Sequence, residues 1–216
     1  MKRVTPPLTA VLLTLGWVSQ AIADPIRGPV SATTTMGEAF PLVAAIDQSG
    51  LSDVYVSGVT DFATFTAGTT HVSLEDLNWV SFTTVGSATF DPGSLMSVDK
   101  VAIWNFGGPF AFLDFAITQF TLVASTDAGF SSPITLGTFN PAVFSTPNPA
   151  QVFDFAPTTA EFFRLQGFRS NGASSLGLGE IAFGQSPVPE PTTVLLLGTG
   201  LVGGTRRWRE RHQKTA

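Results

Sequence analysis

Between residues 24 and 185 the chain is cut into short runs of alternating apolar and polar residues. Each run is closed by Gly, Pro, Asn or Asp before a helical period can establish itself. Alternation with period two places successive side chains on opposite faces of an extended strand. Val101, Ile103 and Asn105 oppose Ala102, Trp104 and Phe106 in this way, and residues 117–123 and 162–168 repeat the pattern. Further strands are predicted over 55–65, 79–85, 151–155 and 178–183, with turns at Asp91-Pro92-Gly93 and Thr146-Pro147-Asn148-Pro149. The pattern offers no long amphipathic helix and no internal repeat. It predicts an all-β domain over residues 24–187: an antiparallel jelly-roll β-sandwich of about eight strands with essentially no helix.

The 216 residues suffice for one such domain with appendages, and its core must be held by packing, because the chain has no cysteine. That absence also removes disulfides, thiolate metal sites and cysteine nucleophiles. Aromatic content is skewed towards 19 Phe against 1 Tyr, which suits a core more than a polar site. Charge is segregated: from Asp24 to Pro189, 14 Asp and Glu stand against Arg27, Lys100, Arg164 and Arg169 alone. Phosphate neutralisation needs a basic surface, so nucleic acid is not an expected partner.

The two ends read as addresses. Lys2-Arg3, an apolar run over 8–18, and Ala21-Ile22-Ala23 before Asp24 form a charged, apolar, small-residue pattern. It predicts a signal peptide over 1–23, in helical form, cleaved after Ala23 by the secretion machinery. The apolar run falls short of the roughly 20 residues that cross a bilayer. At the far end, Pro189-Glu190-Pro191 precedes the uncharged stretch Thr192 to Thr205, which is followed by Arg206, Arg207, Arg209 and Arg211. This predicts a short transmembrane helix whose arginines stay on the cytoplasmic side, holding the domain outside. Gly198-x-Gly200-x-x-Gly203 within it matches a dinucleotide fingerprint, but only 13 residues follow Gly203. That leaves no room for a second strand and an acidic ribose ligand, so close helix packing explains these glycines better.

The tail of residues 188–216 resembles the PEP-CTERM sorting signal, in which a Pro-Glu-Pro triplet, a hydrophobic helix and an arginine-rich end occur in that order. The resemblance implies that Pro189, Glu190 and Pro191 are a substrate motif for an exosortase-type membrane enzyme. It also implies an inner-membrane intermediate, tail removal, and delivery to the cell envelope or exterior of a Gram-negative bacterium that makes extracellular polysaccharide.

A second resemblance covers about residues 90–183. Asp91-Pro92-Gly93-Ser94 with Val98 to Asn105, Phe120 to Phe130 with its Ser125-Thr126-Asp127-Ala128-Gly129 turn, Phe162-Phe163-Arg164-Leu165, and Leu178 to Phe183 occur in the order of a known domain. They resemble fragments of the discoidin or coagulation-factor type C group of galactose-binding-like domains. Pro92 and Ala128 depart from that pattern, and nothing matches its early tryptophan segment. The resemblance implies a binding module for polysaccharide or another envelope component. It further implies a structural calcium, for which Asp47 and Glu180 are the candidate ligands, with backbone carbonyls of the 47–53 loop completing the six to eight oxygens. No other cofactor is called for.

Catalytic chemistry finds few residues. The domain has one histidine, His71, expected in a loop or at the surface, and no G-x-S-x-G, H-E-x-x-H or Walker pattern. Glu75-Asp76 is expected to be a solvated loop, and Trp79, Trp104 and Tyr55 to serve mainly as core. The expected function is therefore binding and not catalysis, the alternative being a structural matrix or biofilm protein with no specific small ligand.

Overall fold

A computed structural model of the chain describes residues 24–108 and 112–186. Signal segment 1–23 and tail 188–216, with Pro189, Glu190, Pro191, Arg206, Arg207, Arg209 and Arg211, lie outside the described residues. No helix among the described residues is long and apolar enough to cross a membrane.

Two antiparallel sheets pack face to face. In chain order the strands are β1 (Ile26–Arg27), β2 (Ser31–Thr34), β3 (Glu38–Phe40), β4 (Thr70–His71), β5 (Trp79–Ser81), β6 (Ser87–Asp91), β7 (Met96–Asn105), β8 (Ile117–Ser125), β9 (Ile134–Phe139), β10 (Asn148–Ala160), β11 (Phe162–Ser170) and β12 (Leu176–Gln185), with one helix, α1 (Phe62–Gly68), between β3 and β4. One sheet runs β3-β5-β12-β7-β10-β4, with β1 added against β12. The other runs β2-β6-β11-β8-β9. The described residues thus hold twelve strands where about eight were expected, because the alternation fails to register the short pieces β1, β2, β3 and β4.

The core between the sheets follows strand parity. Val101 and Ile103 of β7, Leu165 and Phe163 of β11, and Phe120 and Leu122 of β8 all point inward and are fully buried. Phe163 and Phe183 meet across the two layers with ring centroids 4.3 Å apart, and Phe120 meets Phe153 edge-on at 5.6 Å. Such aromatic pairs add about 0.5–1.5 kcal/mol each beyond their burial.

A second, smaller core lies on the other face of the β12–β7 sheet. Ala102 and Trp104, on the opposite parity of β7, are covered there by Ile26, Tyr55, Phe62 and Phe65. The predicted 55–65 strand is corrected at this point: α1 occupies Phe62–Gly68 and the residues before it form a loop. Phe62, Phe65 and Thr66 are its buried residues, a spacing that matches a helix face and not a strand. Asp61 caps it by accepting from the Thr64 amide at 2.8 Å. Two smaller corrections concern the ends of strands. The 79–85 run is a strand only over Trp79–Ser81, and Asn148-Pro149 opens β10 against β4 instead of closing a turn. Pro149 is tolerated because it sits at the start of that strand, where the ladder is short.

Both ends of the described domain leave from one side. Pro25 accepts from the Gln185 amide at 3.0 Å, and Ser186 donates to Ser97 at 2.9 Å. Asp24 is held by Lys100 at 2.7 Å, with Asp99 on the same ammonium at 3.3 Å.

Candidate functional site

Two places concentrate unusual chemistry. The first is built by a bulge in β12. Leu178 and Glu180 face adjacent residues of β7, Asn105 and Trp104, so Gly179 is an extra residue in the ladder. A single insertion of this kind reverses strand parity. Leu178 therefore faces the main core, while Glu180 turns to the outer face and Ile181 and Phe183 return inward. Only glycine fits at the bulge, since a Cβ on Gly179 would lie 2.7 Å from His71 Nδ1 and 2.8 Å from the Trp104 carbonyl.

Glu180 is fully buried beneath the loop that follows Ile46. Its Oε2 accepts from the Gln48 amide at 3.0 Å, and its Oε1 has no partner. Burial pushes this carboxyl well above the usual range, the Gln48 N–H opposes that, and the Asp47 charge adds to it. Asp47 itself is exposed. Its Oδ1 accepts from the Ser49 amide at 2.8 Å and from the Ser49 hydroxyl, closing an Asx turn. Gln48 adopts a left-handed φ of 64° and clamps Tyr55, accepting from its N–H at 2.8 Å and donating to its carbonyl at 3.3 Å. Burial, and then the charge of Glu180, push the Tyr55 hydroxyl far upward, and that hydroxyl has no partner.

His71 corrects the expectation of a loop or surface residue. It is fully buried in β4, and its Nε2 donates to the Ser49 carbonyl at 2.9 Å. Burial holds its pKa down at about 4, against hydrogen bonding to the backbone of Ser49 and Leu77 and the charge of Asp47. It is a neutral strut beneath the 47–55 loop. Glu75 opens a short 3-10 turn, Glu75–Leu77, and Asp76 is exposed on it.

Asp47 and Glu180, which the family resemblance implies as calcium ligands, thus come to one junction of loop and sheet. Among the described residues there is no group of three or more His, Cys, Asp or Glu side chains that could hold a metal. A calcium there would draw on Glu180 and Asp47 with loop carbonyls. The unpartnered, buried Glu180 Oε1 fits such a donor set; the exposed, self-capped Asp47 offers at most its second oxygen.

The second place is a cleft of about 520 Å³ where β7 ends and β12 begins, lined by Phe40, Leu74, Phe82, Phe106, Phe112 and Phe115 among others. Asn105 builds it. Its Oδ1 accepts from the Phe106 and Ile117 amides at 2.9 and 3.0 Å, and its Nδ2 donates to the Ile117 carbonyl at 2.8 Å, which staples both ends of the β7–β8 connection. Phe106 then packs closely on Gly177 of β12, where a Cβ would stand 2.5 Å from its ring. Phe115 packs on Phe106 at 6.0 Å and Phe112 on Phe115 at 6.1 Å. At the rim Leu74, Phe82 and Phe112 are 63, 64 and 46 % exposed, far more than the aromatics of the core.

The sequence reading missed this cleft. Its signal was Phe112 and Phe115, close behind Phe106 in a Gly- and Pro-containing stretch that follows the alternating run. The aromatics it did single out, Trp79, Trp104 and Tyr55, are all buried. The cleft and the ends of the described domain lie at opposite ends of the sandwich: β12 starts beside the cleft and, after ten residues or about 30 Å of strand, delivers the chain to Ser186.

These features sit on an antiparallel β-sandwich that is similar in fold to solved CBM32 domains. The first module, CBM32-1, of a family 31 glycoside hydrolase from Clostridium perfringens superposes with a TM-score of 0.50 at 11% identity, over 73% of this chain and 96% of that one. The CBM32-1 and CBM32-2 domains of Clostridium perfringens ZmpB superpose with a TM-score of 0.51 at 14% identity, over 74% of this chain and 35% of that two-domain chain. At such identities the likeness is one of fold. Outside that fold, residues 187–211 match the family described as the PEP-CTERM protein-sorting motif. No curated protein matches the chain in sequence.

Proposed function

We infer that this is an exported protein whose signal peptide is removed after Ala23. An exosortase-type enzyme reads Pro189-Glu190-Pro191 while the tail is held in the inner membrane, and the sandwich is then displayed in the cell envelope or outside the cell. There the module binds a polysaccharide or another surface component. The observation that carries this reading is the union of a sorting motif with the fold of carbohydrate-binding modules in one chain. The placement of the aromatic cleft remote from Ser186, where the described domain ends, supports it, because a tethered module must present its site away from the tether.

Glycan-array binding by the chain tests the reading: micromolar binding to one polysaccharide class supports it, and no binding across the array replaces it with the structural matrix protein. Intact-mass spectrometry of protein from its native surface tests the sorting, and recovery of residues 206–216 would sink the tail removal.

The unpartnered Glu180 Oε1 favours one further reading, that the 47–55 loop is locked by calcium. Glu180 and Asp47 would hold the ion together with loop carbonyls. The ion would supply the positive charge that a buried carboxylate otherwise lacks.

A further inference from the structure

The lining of the aromatic cleft is more restrictive than its shape. Among the described residues its lining contains no charged side chain, no amide and no histidine, and the polar side chains there are three serines, Ser73, Ser81 and Ser175. Two of these are committed. Ser81 Oγ donates towards the Thr83 and Gly37 carbonyls at 2.9 and 3.2 Å and accepts from the Thr83 amide at 3.2 Å. Ser73 Oγ accepts from the Gly107 amide at 2.9 Å and is buried. Ser175 is the one lining hydroxyl without a partner among the described residues.

A bare sugar ring carries several hydroxyls, each costing about 1–3 kcal/mol if buried without a hydrogen bond. This cleft offers them one side-chain hydroxyl. An anionic group fares worse, since nothing cationic lines the cleft among the described residues and the domain around it is strongly acidic. An uncharged hydrocarbon group meets the opposite conditions. Phe40, Phe106 and Phe115 give it apolar walls, and Phe82, Phe112 and Leu74 are apolar surface already standing in water at the mouth. A volume of about 520 Å³ lies within the range of about 300–1,000 Å³ usual for small-ligand pockets.

We propose that the cleft takes an uncharged acyl group carried on a glycan, so that the module selects acylated over unsubstituted or anionic polymer. This rests on the reading of the domain as a glycan-binding module and names what that site recognises. The acyl chain is buried among the phenylalanines, and the sugar that bears it stays at the rim, beside Ser175 and the solvent.

The test uses the full chain in lipid nanodiscs, with empty nanodiscs as the blank for partition into lipid. The probes are plain dextran, dextran esterified with octanoyl groups, and carboxymethyl dextran, alongside an array of natural polysaccharides. Octanoyl dextran is expected to bind at least tenfold more tightly than the other two dextrans. The exposed-rim variant Phe82→Ser/Phe112→Ser, whose changes leave the core untouched, is expected to abolish that preference. Equal binding of plain and octanoyl dextran, or an unchanged preference in the variant, overturns the proposal. If natural polysaccharides bind wild type and variant alike, the glycan-binding reading stands and the acyl site falls. If no polymer binds either chain, both fall.

Discussion

The carboxylate of Glu180 accepts the backbone N–H of Gln48 at 3.0 Å, a contact that spans 132 residues of sequence and pins the 47–55 loop to the outer face of β12. The contact exists because the Gly179 bulge turns Glu180 away from the core. Everything around it follows from burial: a carboxyl with one free oxygen, a neutral histidine, and a tyrosine hydroxyl without a partner.

Gly179→Ala is expected to destabilise the domain by about 1–3 kcal/mol, as overpacking of a closed site does. The added Cβ would press on His71 Nδ1 and on the Trp104 carbonyl, a backbone atom that cannot move aside. Gly68→Ala, at the end of α1 with nothing within 4 Å, is expected to gain about 0.4–1 kcal/mol. Urea denaturation of both variants checks the pair.

Calcium binding predicts a rise in melting temperature over excess chelator. Ligand at a hundredfold excess over its dissociation constant adds about 2.7 kcal/mol. The rise should vanish in Glu180→Gln and shrink in Asp47→Ala. Coincident melting curves in calcium and chelator would dispose of the site.

In chelator, pH should act on this junction in two opposed ways. The folded pKa of His71, about 4, lies below its ordinary 6.5, so its contribution is complete above pH 6.5 and is lost as pH falls from there towards 4, by about 1.4 kcal/mol per unit. Glu180 is raised above its ordinary 4.5, so its contribution is complete below that value and is lost as pH rises through its folded pKa. Stability profiles of His71→Gln and Glu180→Gln should each lose one arm: the acid arm in the first, the alkaline arm in the second.

Trp104→Phe is expected to cost about 1–3 kcal/mol. The indole Nε1 donates to the Thr69 carbonyl at 3.1 Å within the second core, and its loss leaves that buried acceptor unpaired. The ring also meets Phe65 edge-on at 6.1 Å, so α1 should loosen with it. Hydrogen exchange of the α1 amides, faster in the variant than in wild type, would report this.

Sequence alone was enough for whatever is written locally. The class of the domain follows from period-two alternation, as in β7, where Val101 and Ile103 face one core and Ala102 and Trp104 the other. The sorting motif is likewise linear, a triplet, an apolar stretch and arginines in order. The pairing of Asp47 with Glu180 was suggested by a family resemblance, not by any pattern in the residues themselves. Tertiary structure decided the rest, because parity holds only until a bulge reverses it. One extra glycine at 179 sends Glu180 outward to meet Gln48, and its missing side chain leaves room for the buried His71 under the same loop. The cleft is decided in the same way. Phe40, Phe82 and Phe106 come from three separate stretches, and they form one apolar surface only once Asn105 has stapled its loop and Gly177 has made room for the ring.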